Sequence, residues 1–282
     1  MLSDVTDLLR CPHDGDGLAM TTGDVLGCRS GHRFDLGRGG YVNLSVGRSV
    51  HSADTTEMVL ARERAQQAGV HDEVTASLAS VVRDLPGIGA KPVVIDAGAG
   101  TGQQLARVLD TCGGRGLALE ASVPAARRAA RAHPGIGSVV TDIWSRLPVH
   151  DDAADLVLNV FAPRNAAEFA RVLRPTGALV VVSPSPQHLQ EARDLLGLLN
   201  VDRDKPERLQ RSLEAHFRFE GSSPVRTTVL LDHAGLLAVA GMGPTAAHSG
   251  PREWAARLDQ APEHVEVRIA TDISLWSVRD AS

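Results

Sequence analysis

The sequence predicts an α/β protein built on a mostly parallel, seven-stranded sheet, and three observations predict it. Residues 93–102 read Val-Val-Ile-Asp-Ala-Gly-Ala-Gly-Thr-Gly, an apolar run that stops at an acid and opens into Gly98, Gly100 and Gly102. Val93 to Ile95 suit a buried parallel strand, and the glycines let the backbone turn sharply and approach a ligand before a helix starts near Gln103. Two more short apolar runs end in acids, 116–120 at Glu120 and 138–142 at Asp142. From Pro92 onward such runs alternate with helical spacing, the pattern of a parallel sheet with helices on both faces.

Ahead of the sheet, residues 1–45 are rich in Gly, Asp, Cys and His and show little periodicity, whereas 55–64 and 72–83 carry helical spacing. Asp54 or Thr55 caps the first of these helices and Gly69 stops it. The helix after the glycines ends at Cys112-Gly113-Gly114, where Cys112 reads as a small buried residue. Arg127, Arg128 and Arg131 on the next helix read as solvent-facing charges. Strands follow at 155–160 and 177–183 with a helix at 165–173 between them, then helices at 203–217 and 233–241. Strands at 217–230 and 263–278 complete the sheet. The chain divides into a small module at 1–48, a helical connector at 49–90 and the α/β domain at 91–282.

Composition fits one large core with an appendage. Over 282 residues, 43% are hydrophobic and 22% charged, which is globular rather than disordered. No apolar run is long enough to span a membrane, and the N-terminus lacks a basic-then-apolar leader, so the chain reads as cytoplasmic. Three cysteines in such a length make no disulfide framework and are available as ligands. A net charge of −5 argues against indiscriminate nucleic-acid binding and leaves local basic faces open. The sequence leaves a homodimer open.

The glycine spacing alone also fits a plain strand-to-helix turn. A pyrophosphate prefers bare amides and a helix dipole, so a carboxylate two residues before the first glycine better suits a cationic or hydroxyl-bearing ligand such as S-adenosylmethionine. Glu120, 24 residues beyond Asp96, is placed to accept both ribose hydroxyls, and Asp142 to reach an adenine amino group. Each acid singly fits a solvated strand end or a cap. The ordered set resembles the class I S-adenosylmethionine-dependent methyltransferases, Rossmann-like enzymes. That resemblance assigns Asp96, Gly98, Gly100, Thr101, Gly102, Glu120 and Asp142 to the cofactor.

The N-terminal module holds Cys11-Pro-His13-Asp14 and Cys28-Arg-Ser-Gly-His32, two ligand pairs at the spacing of a zinc-ribbon-like knuckle. A regular first pair would have Cys where Asp14 stands. Either the Asp14 oxygen or the His13 nitrogen serves as fourth ligand beside Cys11, Cys28 and His32, or the ribbon has lost its metal and holds by packing.

The knuckle is followed by Phe34-Asp35, Gly40-Tyr41-Val42-Asn43-Leu44, Asp54-x-x-Glu57-Met58, Ala61-Arg62 and the glycine motif. This order resembles the large-subunit rRNA guanine-N1 methyltransferases over essentially the whole chain. Residues 158–165, Leu-Asn-Val-Phe-Ala-Pro-Arg-Asn, and 174–177, Arg-Pro-Thr-Gly, look most like the actinomycete branch that confers resistance to tylosin- or mycinamicin-type macrolides. The resemblance implies methylation of a guanine in a 23S rRNA hairpin loop lining the peptide exit tunnel, with the N-terminal module as RNA reader. Asp14 departs from the family's second Cys.

Ring nitrogen 1 of guanine lies on the pairing edge, so the base must be unpaired or flipped into the pocket. Phe161-Ala162-Pro163 sits where related enzymes grip the target base: Phe161 stacks on a purine or is simply a buried aromatic, and Pro163 stiffens the loop. Asn159 either hydrogen-bonds the base edge or caps the strand. No residue stands out as the general base. Arg29, Arg33, Arg38 and Arg48 lie in or beside the knuckle, but residues 1–50 carry five Arg against six Asp, so any RNA contact is local. Tyr41 suits stacking on RNA or packing at the seam. Two readings from other classes stay open: a methyltransferase acting on a macrolide sugar or a quinone, and a non-catalytic RNA-binding protein.

Overall fold

The computed structural model describes residues 1–47, 53–199, 205–243 and 250–279. A 3₁₀ helix, Leu2–Leu8, precedes β1 (Ala19–Met20), β2 (Val25–Gly27), β3 (Arg33–Gly37) and β4 (Tyr41–Asn43). Helices α1 (Thr56–Gln67) and α2 (Asp72–Arg83) lead into β5 (Val93–Ala97), α3 (Gln103–Cys112), β6 (Arg115–Glu120), α4 (Val123–Ala132), β7 (Ile136–Val140) and β8 (Ala154–Val160). Then come α5 (Ala166–Val172), β9 (Leu173–Pro184), α6 (Gln190–Leu196), α7 (Lys205–Leu213), β10 (Phe217–Asp232), α8 (His233–Gly241), α9 (Pro251–Leu258) and β11 (His264–Val278).

The expected seven strands run in the order β7-β6-β5-β8-β9-β11-β10, parallel from β7 to β9, with β11 antiparallel to both β9 and β10. The chain starts at β5, winds outward to β7 and returns to β8 on the other side of β5. The carboxyl ends of β5, β6 and β8 therefore meet at the switch point where such sheets bind ligands. Period-two alternation splits β5 between the two faces. Val94 belongs to the core beneath α2 and α3, and Val93, Ile95 and Ala97 to the opposite core. Asp96 shares the Val94 face.

The N-terminal module is not set apart from this sheet. β4 pairs parallel with β7, Tyr41 opposite Ser138 and Asn43 opposite Val140, so β4 to β1 extend the sheet to eleven strands. Leu2, Val5 and Leu9 share one core with Leu117 and Leu119 of β6. A Cβ on Gly137 would lie 2.2 Å from Val5 Cγ2, so the 3₁₀ helix sits directly on β7. Starting the chain near residue 50 would strip this core, and point substitutions are the cleaner probe of the module. The stretch read as a connector also packs into the body: Val74, Leu78 and Val82 of α2 are core residues.

Several sequence expectations are corrected. Phe217 opens β10 opposite Val278 instead of ending a helix, and residues 203–204 lie outside the described residues, as does Arg48. Arg128 is not simply solvent-facing: it bridges to Glu63 of α1 at 2.7 Å. Arg127 and Arg131 are exposed but lie under Gly39, where a Cβ would meet Arg127 Cγ at 2.9 Å. The Tyr41 ring covers Gly37, which has no room for a side chain, so Tyr41 packs within its own hairpin. Thr55 is the cap of α1, accepting from the Met58 amide at 3.3 Å, and Gly69 follows the helix at φ +80°.

Gly102 opens α3 at φ +81°, and a Cβ there would lie 2.8 Å from the Ala129 backbone on α4. Gly102→Ala therefore combines left-handed strain with backbone overlap, and should cost roughly 2–3 kcal/mol in urea unfolding. A loss under about 0.5 kcal/mol would mean that α3 and α4 separate freely.

Candidate active site and metal centre

The turn after β5 is anchored to the end of β6. Gly98 and Ala99 donate to the Leu119 carbonyl at 2.8 and 3.1 Å, and Gly100 donates to Glu120 Oε2 at 2.8 Å. The other Glu120 oxygen accepts from the Ser122 amide at 2.8 Å, which sets the entry to α4. The three glycines do different jobs. Gly98 makes room for the loop after β8, since a Cβ would lie 2.4 Å from Ala162 Cβ. Gly102 permits helix packing, and Gly100, at φ +54°, lies against Arg62, whose Cδ and Nη1 a Cβ would meet at 3.8 Å. A side chain at Gly98 thus strikes the Ala162 loop first, before any ligand.

Asp96 is 1% exposed and its Oδ1 has no hydrogen-bond partner. Burial, reinforced by the neighbouring Glu120 carboxylate, pushes it up to about 7. Burial also raises Glu120, against the opposing hydrogen bonds from Ser122 and Gly100. A cleft with about 360 Å³ of unfilled space, part of it open to solvent, is lined by Asp96, Gly98 to Thr101, Arg62, His71 and Phe161. Thr101 Oγ1 bonds Gln66 of α1 at 3.2 Å. An unpartnered buried oxygen beneath a side-chain-free turn fits a ligand that brings a cation or a donor, as S-adenosylmethionine does.

Arg62, on α1, pairs with Asp54 at 2.5 Å while its Nε is buried without a partner. His71 is 8% exposed, and burial followed by the Arg62 charge lowers it to about 4, so it is neutral. Sequence reasoning did not assign either residue to the site, because nothing in α1 or α2 marks which face meets the glycine turn.

Phe161 has φ +54° and lines the cleft, its ring 5.6 Å by centroid from each of the imidazoles of His71 and His188. Asn159 is fully buried and its Nδ2 donates to the carbonyls of Ala97 at 3.0 Å and Pro163 at 2.8 Å. It ties the loop to β5, as the strand-capping alternative expects, while its Oδ1 is buried without a hydrogen-bond partner. Pro163 is exposed on that loop. Asp142 sits at the end of β7 and its Oδ1 accepts from the Trp144 amide at 3.0 Å.

In the N-terminal module, one donor atom from each of Cys11, Asp14, Cys28 and His32 falls within 4.8 Å of all the others. His32 Nδ1 lies 3.5 Å from Cys11 Sγ, 3.3 Å from Cys28 Sγ and 2.9 Å from Asp14 Oδ2, and Cys28 Sγ lies 3.4 Å from that same oxygen. The edges of a zinc tetrahedron with these donors measure about 3.3–3.8 Å, so the donor set fits zinc. His13 is excluded as the fourth ligand: its ring packs against His32 and Phe34, and Asp14 holds the position. The Asp16 amide holds the Asp14 carboxyl well below the usual range, keeping it an anion.

Two outcomes follow. Protein purified without chelator should contain one zinc by elemental analysis, lost in Asp14→Ala and held against a chromophoric chelator better in Asp14→Cys, since thiolate is the softer, tighter ligand. Equal retention in all three would remove Asp14 from the metal. Asp96→Asn should raise the melting temperature of ligand-free protein. The folded carboxyl titrates near 7 against 3.8 unfolded, so its penalty is absent below about pH 4, grows with pH and is complete above about pH 7. The gain should be several degrees at pH 8 and vanish near pH 4. A gain independent of pH would mean that Asp96 is not a buried acid.

Comparison with known proteins places the chain. A family described as "Methyltransferase domain" matches residues 95–181. A Streptomyces fradiae protein named 23S rRNA (guanine(748)-N(1))-methyltransferase is 45% identical over 276 residues, covering 98% of each chain. A Micromonospora griseorubida relative, named for the same 23S rRNA guanine-N1 chemistry, is 45% identical over 98% of this chain and 99% of its own. The crystal structure of the MccD protein matches 72% of this chain and 96% of its own with a TM-score of 0.50 at 12% identity, a likeness of fold alone. With glycine turn, strand-end acids and metal-ligand quartet all in place, the chain belongs to the 23S rRNA (guanine-N1)-methyltransferase family.

Proposed function

We propose that the protein transfers a methyl group from S-adenosylmethionine to ring nitrogen 1 of a guanine in a 23S rRNA hairpin loop, acting in the cytoplasm. The observation that carries this is Asp96, a buried carboxylate with an unpartnered oxygen, beneath the glycine turn and beside Glu120 and Arg62. Bound S-adenosylmethionine supplies an already activated methyl group, so positioning dominates. Asp96 meets the cationic end, Arg62 offers its guanidinium to the carboxylate, Glu120 accepts the ribose hydroxyls, and Asp142 accepts from the adenine amino group. Gly100 leaves the approach clear.

The guanine must leave its pairing partner and give up its N1 proton as the methyl arrives. The Phe161-Ala162-Pro163 loop forms the wall it enters against, and Asn159 is a positioning residue that fixes this loop through the Ala97 and Pro163 carbonyls. The N-terminal module docks the hairpin through exposed Arg29, Arg33 and Arg38. A methyl group on the pairing edge inside the exit tunnel would lower the affinity of tylosin- or mycinamicin-type macrolides and protect the host.

Cells expressing the protein should give 23S rRNA with a strong primer-extension stop at one guanine, and Asp96→Asn should abolish it while leaving a folded protein. The minimal inhibitory concentration of such macrolides should rise with the stop. A methyl group on ribose or on another base, or turnover on a small molecule alone, overturns the assignment.

A further inference from the structure

We propose that Arg127 and Arg131 of α4, together with Arg38 of the β3–β4 turn, form a phosphate-binding surface across the seam between the N-terminal module and the α/β domain. The sugar-phosphate backbone of the 23S rRNA hairpin lies on it while the loop reaches the cleft. This rests on the rRNA reading above, and it extends the docking surface from the module onto the catalytic domain.

The seam brings these residues together. Gly39 follows Arg38 in the β3–β4 turn, and a Cβ there would lie 2.9 Å from Arg127 Cγ, 3.5 Å from Arg127 Nε and 3.2 Å from Arg131 Nη2. The turn therefore rests on the two α4 side chains. Arg38, Arg127 and Arg131 are all exposed. Residues 127 and 131 stand four apart on one helix, so they share a face and lie about 6 Å apart along its axis. That is close to the separation of neighbouring phosphates on one strand. Val123, exposed one turn earlier on the same face, carries the stripe to the start of α4, where the Ser122 amide donates to Glu120 beside the glycine turn.

The three arginines lack what neutralises their neighbour. Arg128 turns to α1, where Glu63 lies 2.7 Å away, and it also donates to the Pro124 carbonyl at 2.9 Å. Arg38, Arg127 and Arg131 have no acidic partner among the described residues, and α4 itself carries three arginines and no acid. Like charges at i and i+4 destabilise a helix. Arg131, in the last turn, is favoured by the helix dipole, but Arg127, in mid-helix, is not. Within a chain of net charge −5 the seam is thus a local reversal of sign, kept at a cost to the helix. A polyanion complements such a surface, and the planar guanidinium suits phosphate oxygens. Contacts of this kind fix register and orientation without reading bases, which leaves the choice of guanine to the loop and the cleft.

Initial rates of methyl transfer by the full-length protein are measured over a series of salt concentrations. The substrate is a transcript of the 23S hairpin that carries guanine 748, the position named for the Streptomyces fradiae relative. Arg127→Gln and Arg131→Gln should each flatten the dependence of log KM for RNA on log salt by about 0.7–0.9, the loss of one phosphate contact, and the double variant should show the sum. Arg38→Gln should do the same from the module side. Replacing both α4 residues by Lys should keep the slope, because the charge remains. S-adenosylhomocysteine affinity should be retained in every variant, since none of the three arginines lines the cofactor cleft. An unchanged slope in the double Gln variant, with methylation intact, overturns the proposal, as does a slope lost in the Lys variant. S-adenosylhomocysteine affinity and melting temperature that fall together would make these arginines structural and overturn it too. A transcript neither bound nor methylated by the unaltered protein overturns the rRNA reading, and this surface with it.

Discussion

Two carboxylates end neighbouring parallel strands, and only one of them has its hydrogen bonds. Glu120 spends both oxygens on the Gly100 and Ser122 amides, and so fixes the glycine turn and the start of α4 together. Asp96 lies beneath that turn with a buried orphan oxygen, repelled by Glu120. Raising a carboxyl from 3.8 to about 7 corresponds to a penalty of the order of 4 kcal/mol in the ionised state, a large share of a typical domain's net stability. The remainder of the fold offsets it through two apolar cores, one on each sheet face. A ligand carrying a positive charge or a donor relieves the same penalty on binding, so cofactor affinity and folded-state stability are linked at this one residue.

The module and the cleft are also linked, through the sheet edge. Leu44 donates its amide to the Val140 carbonyl at 3.0 Å and the Ser45 hydroxyl donates to the same carbonyl at 3.3 Å, two residues before Asp142. Further along, the Asp54 carbonyl accepts from the Ser122 hydroxyl at 2.7 Å, and the Asp54 carboxylate holds Arg62. The chain therefore leaves the module beside the end of β7, touches the end of β6, and enters the helix that faces the glycine turn. The metal quartet lies at the other end of the module, where it fixes the turns before β1 and after β2.

Much of this was legible in the sequence because parallel strands bury both faces and write themselves as unbroken apolar runs. The acids at 96 and 120, the glycine turn and the spacing of Cys11, Cys28 and His32 appear in the expected elements, and Asp142 follows the end of β7 by two residues. What failed has a common cause, since sequence shows residue type without facing. The helix expected over 203–217 stops at Leu213, and Phe217 belongs only to the strand expected from 217, opposite Val278. The imidazoles of His71 and His188 that lie near the Phe161 ring come from distant segments, which sequence order does not show. Asn159 offers two roles in sequence, and its Nδ2 donates to the Ala97 and Pro163 carbonyls from segments that the motif does not reveal. The three-residue parallel pairing of β4 with β7 is too short to leave any periodic signal.

The departures from good local structure also distinguish a catalyst from a scaffold that merely binds RNA. Phe161 keeps a left-handed backbone and Asp96 an unsatisfied oxygen, and both line one cleft. Arg115 with Asp7 and Arg226 with Asp272 show the paired alternative. Strain and unmet polar groups persist where surrounding contacts hold them. Here those contacts are the Asn159 amide, the Val182 carbonyl that accepts from the Phe161 amide at 3.0 Å, and the missing side chain of Gly98. A scaffold needing only shape would be more stable with Asn at 96, since an amide there carries no buried charge, whereas Asp96 keeps a carboxyl whose ionised form burial disfavours.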